Sequence, residues 1–217
     1  MSAIARAAAN NITTSGVFTS SAIANSSVTG ITVLANASDG ITLISSQTAS
    51  NSASISFTSG LDSTYKAYKF VFVNCHPSND DIDFEFNGST DGGTNYNVTK
   101  TTTLFFAYHN EGDTLTELTY STSRDLAQST SFQDLGIAIG NLNDESCSGS
   151  LTIFNPSSTT YVKHFISNVH LYDQNVGGSR NVFVAGYANT TSAINAIQFK
   201  MSAGNIDDGK IYLYGIK

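Results

Sequence analysis

From residue 41 onward, apolar and polar residues alternate in short runs that predict β-strands. Apolar side chains alternate with polar or charged ones in 82–86 (IDFEF) and in 197–201 (IQFKM). A period of two places the apolar residues on one side of a strand, so these runs predict half-buried strands. The run 68–73 (YKFVFV) ends in four consecutive apolar residues and predicts a central strand covered on both sides.

Turn-forming residues lie between these runs. Segments 88–93 (GSTDGG) and 176–179 (VGGS) each separate two strand runs, and 207–209 (DDG) precedes the final run, 210–217. That final run must pair inside a sheet, because it would otherwise leave an open edge. The spacing predicts about ten to twelve strands. We therefore predict an all-β fold, an antiparallel β-sandwich or jelly-roll-like domain.

The first forty residues have a different composition. Arg6 and Asp39 are their only charged residues, and the others are mostly Ser, Thr, Asn, Ala and β-branched residues. A disordered tail would carry more charge, and an independent domain would contain continuous apolar runs. We predict that residues 1–40 form an extended N-terminal assembly or anchoring arm and that residues 41–217 form the sandwich. The predicted assembly contacts of the arm are Ile23, Val28, Ile31 and Val33.

Composition narrows the functional classes. The formal net charge is -7, charged residues make up 12% of the chain, and basic residues are not clustered. Nucleic-acid binding depends on clustered Lys and Arg, so nucleic acid is not an expected partner. No apolar run has the length of a signal-peptide core or a membrane span, so we expect neither secretion by a signal peptide nor membrane insertion.

Catalytic motifs are missing from the sequence. It contains no nucleophile elbow, zinc-protease motif, phosphate-binding loop or dinucleotide fingerprint. A pair of carboxylates that meet only in space remains an alternative. We expect no enzyme activity and no cofactor.

The four histidines and one acidic run are the candidate metal ligands in the sequence. His164 and His170 have the same parity on one predicted strand, about 20 Å apart, which is too far for a shared ion. Together with His76 and His109, they are expected to face solvent or another subunit.

Asp81, Asp83 and Glu85 share one face of a predicted strand, with Asp80 beside them. Calcium-binding acids normally lie on a turning loop, so we expect instead a strand face that is either solvated or salt-bridged across strands, for example to Lys66 or Lys69. The two aspartates in 207–209 are expected to shape a turn.

Two further residue types leave alternatives open. Cys75 and Cys147 are expected to be free thiols, as in a reducing cytoplasm, because sequence alone does not assign a disulfide between them. Tyrosine can also stack on sugars, so glycan binding remains a possibility. The tyrosines considered for it are Tyr96, Tyr108, Tyr120 and Tyr187.

The chain resembles virion proteins of marine tailed bacteriophages. The arm sequence 23–31 (IANSSVTGI) followed by a Gly- and Thr-rich sandwich is similar in style to such proteins. The C-terminal segments 199–206 (FKMSAGNI) and 209–217 (GKIYLYGIK) are similar to the ending of their tail-fibre-like proteins. No catalytic residue is carried over from this resemblance.

The resemblance implies a virion protein that is made in the host cytoplasm. It would be a fibre or appendage subunit, homotrimeric, anchored to another virion protein by its N-terminal arm, with the sandwich facing outward for host attachment. Two alternatives remain, a capsid decoration protein and a carbohydrate-binding domain that recognises a host surface glycan.

Overall fold

A computed structural model describes residues 40–217, which form an antiparallel β-sandwich. The prediction of an all-β sandwich is therefore confirmed. Within these residues there is no helix, and hence none that is long and apolar enough to cross a membrane. The twelve strands are β1 (Ile41–Thr48), β2 (Ile55–Phe57), β3 (Ala67–Pro77), β4 (Ile82–Ser89), β5 (Lys100–Asn110), β6 (Thr116–Tyr120), β7 (Gln133–Ile139), β8 (Cys147–Phe154), β9 (Lys163–Asp173), β10 (Gly178–Ala188), β11 (Ala196–Met201) and β12 (Ile206–Ile216).

The strands form two layers. Eight of them pair in the order β1-β12-β3-β8-β9-β10-β5-β6, and we call this layer the large sheet. The other four pair in the order β7-β4-β11-β2 and form the small sheet. A single bridge between Ile139 and Asp173 joins the two layers. All of these pairings are antiparallel, as the short turn-forming connections predict.

Aromatic rings fill the space between the two layers. Phe199 of β11 lies 5.0 Å from Phe72 and 5.1 Å from Phe70, both on β3, measured between ring centroids. Phe86 of β4 contacts Phe165 of β9 at 5.1 Å in an edge-to-face arrangement. Each buried ring contributes about 2 to 3 kcal/mol through burial alone. The core thus lies between the small sheet and the inner side of the large sheet.

The final strand lies inside the large sheet, as predicted. β12 pairs with β1 on one side and with β3 on the other. The turn expected at 207–209 is wrong, because these residues lie within β12, where the register with β3 shifts on both sides of Asp208. Gly209 has φ +124°, and a Cβ there would lie 2.7 Å from Cα of Cys75. The aspartates and the glycine therefore form a bulge within a strand.

The prediction that 68–73 would be covered on both sides is also wrong. Tyr68, Phe70 and Phe72 point into the core and are almost fully buried, whereas Val73 is 40% exposed. Within the described residues, the small sheet covers only the inner side of the large sheet. The opposite side, with Val71 and Val73, is open.

Candidate docking surface

The open side of the large sheet, which we call the outer face, carries most of the exposed large apolar side chains. It consists of the outward-pointing residues of β1, β3, β5, β6, β8, β9, β10 and β12. Of the eleven large hydrophobic residues that are strongly exposed in the described chain, eight lie on this face. They are Ile41, Leu43, Val73, Phe105, Leu118, Tyr120, Phe154 and Ile166.

Pairing registers place these side chains on one surface. Residues directly opposite each other in an antiparallel pair point to the same side. Ile166 is opposite Ala185 of β10 and Thr152 of β8, and Phe105 is opposite Phe183 and Tyr120. The apolar residues therefore recur across neighbouring strands and do not form isolated spots. An extended exposed patch of this kind is typical of an interaction surface.

No outward-pointing strand residue between the two ends of the outer face is a carboxylate, although Asp125, in the loop after β6, accepts a hydrogen bond of 2.6 Å from Tyr120 at its edge. The charged residues of this face are Lys69 of β3 and Lys210 of β12, although acidic residues outnumber basic ones by 17 to 10 in the whole chain. At one end Asp113 lies 3.0 Å from His109, and at the other Asp207 lies 3.8 Å from His76. A surface with so few charges can be removed from water at low cost.

Aromatic pairs lie along this face. The rings of Phe105 and Phe183 stack with centroids 4.9 Å apart. Tyr187 meets the ring of His164 edge to face at 6.3 Å. Such rings present large rigid contact areas with little conformational freedom to lose on binding.

A groove of about 410 Å³ crosses the outer face over β5, β8, β9 and β10. Thr101 and Thr103 form one wall, and Phe154, Ile166 and Tyr187 supply apolar surface. Ala185 and Gly186 leave the middle of the groove open because they have little or no side chain to fill it. The groove has the size of a pocket for one large side chain or a small ligand.

The strand pairing shows which way the histidine side chains point. His164 and His170 both point outward from β9, so they share a face as predicted. His170 Nε2 lies 2.9 Å from the hydroxyl of Ser179, and His76 Nε2 lies 3.1 Å from the carbonyl oxygen of Leu142. His109, His164 and His170 lie on the outer face, and His76 lies at its end beside Asp207.

The acidic run lies on the outside of the small sheet and is salt-bridged, as predicted. Its partners are not Lys66 or Lys69. Arg124 bonds both Asp83 and Asp134, while Lys200 Nζ lies 2.7 Å from Glu85.

Asp81 does not share this strand face, because β4 begins one residue later. It accepts a hydrogen bond of 2.8 Å from Asn175. Within residues 40–217, no three His, Cys, Asp or Glu side chains are grouped closely enough to hold a metal ion.

Burial also shifts the pKa values of two charged groups near the small sheet, Asp134 and Lys100. Burial raises the pKa of Asp134 to about 6, the charge of Asp83 adds to this effect, and Arg124 opposes it. Lys100 of β5 is 1% exposed and donates to Asn87 Oδ1 at 2.7 Å and to the carbonyl oxygen of Val98 at 2.9 Å. Burial lowers the pKa of Lys100 to about 7.

The four tyrosines considered for sugar binding lie in different places. Tyr187 lines the groove, and Tyr120 is exposed on β6, where it donates to Asp125 at 2.6 Å. Tyr108 points to the inner side and donates to Glu117 at 2.6 Å. Tyr96 is half-buried near the turn at Gly93. Only Tyr187 belongs to a pocket of suitable size.

The predicted assembly contacts Ile23, Val28, Ile31 and Val33 lie outside the described residues, as does the whole predicted arm up to Asp39. Sequence reasoning did not find the outer face. A signal for it was present in 164–170 (HFISNVH), where both sets of alternate residues are free of carboxylates. Strand periodicity alone could not show that one of the two sides would remain uncovered.

Comparison with known proteins identified no relative of this chain. No protein-family model, curated protein sequence or solved structure matches the chain.

Proposed function

We propose that this chain is a structural subunit of a virion, a fibre or appendage subunit that associates with further copies of itself through the outer face. The observation that carries the self-association is the concentration of exposed apolar side chains on one face, whose outward-pointing strand residues include no carboxylate between the two ends. The type of particle rests on the resemblance to virion proteins of marine tailed phages. The sandwich would be displayed outward, with the N-terminal segment as the anchor.

The size of the outer face supports a second copy as its occupant. Eight strands about 4.8 Å apart, which range from 5 to 11 residues in length, present on the order of 1,000 Å². A stable interface needs about 800 Å² from each partner. The outer face is therefore large enough to hold a subunit without help from another surface.

Charge favours contact between unlike surfaces of two copies. The outer face holds Lys69 and Lys210, while the carboxylates of the described residues lie at its ends or elsewhere. Positive and neutral residues would then meet a more acidic surface of the neighbour. Contacts between unlike surfaces form a ring when the rotation between neighbouring subunits closes, and a trimer is the smallest such ring beyond a dimer.

The experiment compares the native mass of the full chain with that of two variants. Ile166 lines the groove and is 56% exposed, and Leu142, 65% exposed, lies in the loop between β7 and β8, outside the groove and outside the strands of the outer face. We expect a trimer for the wild type and for Leu142→Asp, and monomers for Ile166→Asp. A buried unpaired carboxylate costs several kcal/mol, which would open the contact.

A monomeric wild type, or an Ile166→Asp variant that remains trimeric, would contradict the self-association. Circular dichroism of both variants should match the wild type, because both positions are exposed. A reconstruction of the intact particle then distinguishes a tail fibre from a capsid decoration protein by its position and symmetry. Failure to find the protein in particles would contradict the virion assignment alone.

A second candidate function, glycan binding, is favoured by the groove. Tyr187 provides a ring, and Thr101 and Thr103 line the groove beside it, where Thr101 accepts a hydrogen bond of 2.7 Å from the side chain of Gln128. If the groove binds sugar, Tyr187→Ala abolishes binding of the full chain to host surface polysaccharide, and Tyr161→Ala, an exposed tyrosine outside the groove, does not. Equal binding by both variants would exclude the groove as the sugar site.

A further inference from the structure

Two cysteines lie directly opposite each other in the large sheet. Cys75 of β3 and Cys147 of β8 are partners in the antiparallel pairing of these strands. Both are unbonded, point into the core and are at most 1% exposed. Opposed residues of an antiparallel pair have Cα atoms about 4.5 to 5.5 Å apart, and a disulfide requires about 4.4 to 6.8 Å. The backbone therefore already satisfies the main distance requirement for a bridge.

The pair lies at the end of the β3–β8 ladder. β8 begins at Cys147, and the register with β3 is interrupted between Phe72 and Cys75. Within that irregularity Asn74 has φ 48°, a backbone conformation that costs energy in a residue other than glycine. The loop before β8 includes the exposed Asp144. Opening of such a strand end requires less energy than unfolding of the domain, so it gives solvent access to the thiols.

In the closed state the thiols are protected. A hydrogen bond with Cys75, together with burial, raises the pKa of the Cys147 thiol. Because the thiolate is the reactive form, the folded and closed pair reacts slowly. Reaction therefore depends on opening at this strand end or on the folding process itself.

We propose that Cys75 and Cys147 are a redox-sensitive pair that forms an intramolecular disulfide when the protein meets a small-molecule disulfide such as glutathione disulfide. One cysteine thiolate attacks the oxidant, forms a mixed disulfide and releases one glutathione thiolate. The second cysteine thiolate then attacks the cysteine sulfur of that mixed disulfide and releases the other glutathione. The two cysteines lose two electrons and two protons, and glutathione disulfide is reduced to two glutathione molecules.

The bridge would join two strands that are far apart in sequence. A cross-link that closes a long loop restricts the unfolded chain and so stabilises the folded one. A protein made in a reducing cytoplasm would gain this stability after it enters an oxidising medium. This inference rests on the cysteine pair alone and does not depend on the proposed function.

The test uses the reduced full chain, incubated with glutathione disulfide both in the native state and during refolding from urea. We expect the intact mass to fall by two hydrogen atoms, without a glutathione adduct, and peptide mapping to link Cys75 with Cys147. The midpoint of thermal unfolding should rise and return to its original value after reduction. Cys75→Ala and Cys147→Ala are the matched controls, and their midpoints should not respond to the oxidant.

In the refolding experiment both thiols are exposed to the oxidant while the chain is unfolded. It therefore tests whether the strand pairing allows a disulfide, independently of whether the oxidant can reach the thiols in the folded protein. Refolded protein that keeps two free thiols would overturn the proposal. So would a stable glutathione adduct on each cysteine, or disulfide-linked dimers in place of the internal bridge. A bridge that forms on refolding but leaves the unfolding midpoint unchanged would overturn the stabilising role.

Discussion

Among single residues, Lys100 stands out because it is a cation in the core. It points inward from β5, and its partners in the described structure are the neutral oxygens of Asn87 and Val98. Two hydrogen bonds compensate only part of the hydration that a charged amine loses on burial. The charge of Lys100 therefore destabilises the folded state, and this effect depends on pH.

Replacing Lys100 with Met should remove a pH-dependent part of the stability. The pKa of Lys100 is lowered from 10.5 to about 7, so between these values the unfolded chain binds a proton that the folded domain lacks. The free energy of unfolding of the wild type should therefore rise relative to Lys100→Met from pH 7 to pH 9, by on the order of 2 kcal/mol. Urea titrations at several pH values measure this difference.

Lys66→Met is the control for this prediction, because Lys66 is exposed. Its stability should follow that of the wild type across the same pH range. A constant difference between wild type and Lys100→Met at every pH would show that Lys100 titrates alike in the folded and unfolded states.

Arg124 should be a stabilising residue only while its two carboxylate partners are present. It lies 2.8 Å from Asp134 and also bonds Asp83, and these carboxylates are at most 19% exposed. Arg124→Leu leaves both acids without their cation and should destabilise the domain by about 3 kcal/mol, measured by urea denaturation. Adding Asp83→Asn and Asp134→Asn should recover much of the loss. No recovery would mean that packing of Arg124, and not its charge, provides the stability.

At the scale of strands, the close contact between β8 and β9 depends on Gly149. A Cβ at this position would lie 2.6 Å from Cα of Val169 and closer still to the carbonyl oxygen of Asn168. Backbone atoms in the middle of a sheet cannot move away cheaply. Gly149→Ala should therefore destabilise the domain by about 2 kcal/mol or more, seen as a lower midpoint of thermal unfolding.

Gly112→Ala is the matched control, because the nearest atoms to its added Cβ are 3.6 Å away. It should leave the midpoint nearly unchanged. Equal destabilisation by both substitutions would indicate that a general effect of replacing glycine, and not contact with β9, explains the effect of Gly149→Ala.

The sequence predicted where strands lie in the chain better than it predicted which residues pack against them. The alternation in 82–86 and 197–201 correctly placed parts of β4 and β11, because period-two burial is a local property. The apolar run in β3 was misjudged, because an apolar residue on a strand does not reveal whether a second layer covers it. The salt-bridge partners were misassigned for a related reason. Arg124 lies in the loop between β6 and β7, 41 residues from Asp83 in sequence, and a local pattern does not show that the two side chains meet.

For the whole molecule, we predict that residues 39–217 fold without residues 1–38. The described domain has its own core between two layers, in which Phe70, Phe72 and Phe199 are almost fully buried. A variant that lacks residues 1–38 should keep a cooperative thermal transition and the circular dichroism of β-structure. If it loses both, the N-terminal segment contributes to the core, and the division of the chain near residue 40 is wrong. The same variant should fail to enter particles if that segment is the anchor.

The sequence by itself determined the fold class of this protein, its approximate number of strands and the connections near 88–93 and 176–179. These properties depend on neighbouring residues, through alternation along a strand and through turn-forming residues. The tertiary structure alone decided which side of the large sheet stays open, which cations meet Asp83 and Glu85, and that Cys75 lies opposite Cys147. Each of these depends on pairing between strands distant in sequence. Strand register and layer packing set that pairing, and a local pattern does not contain them.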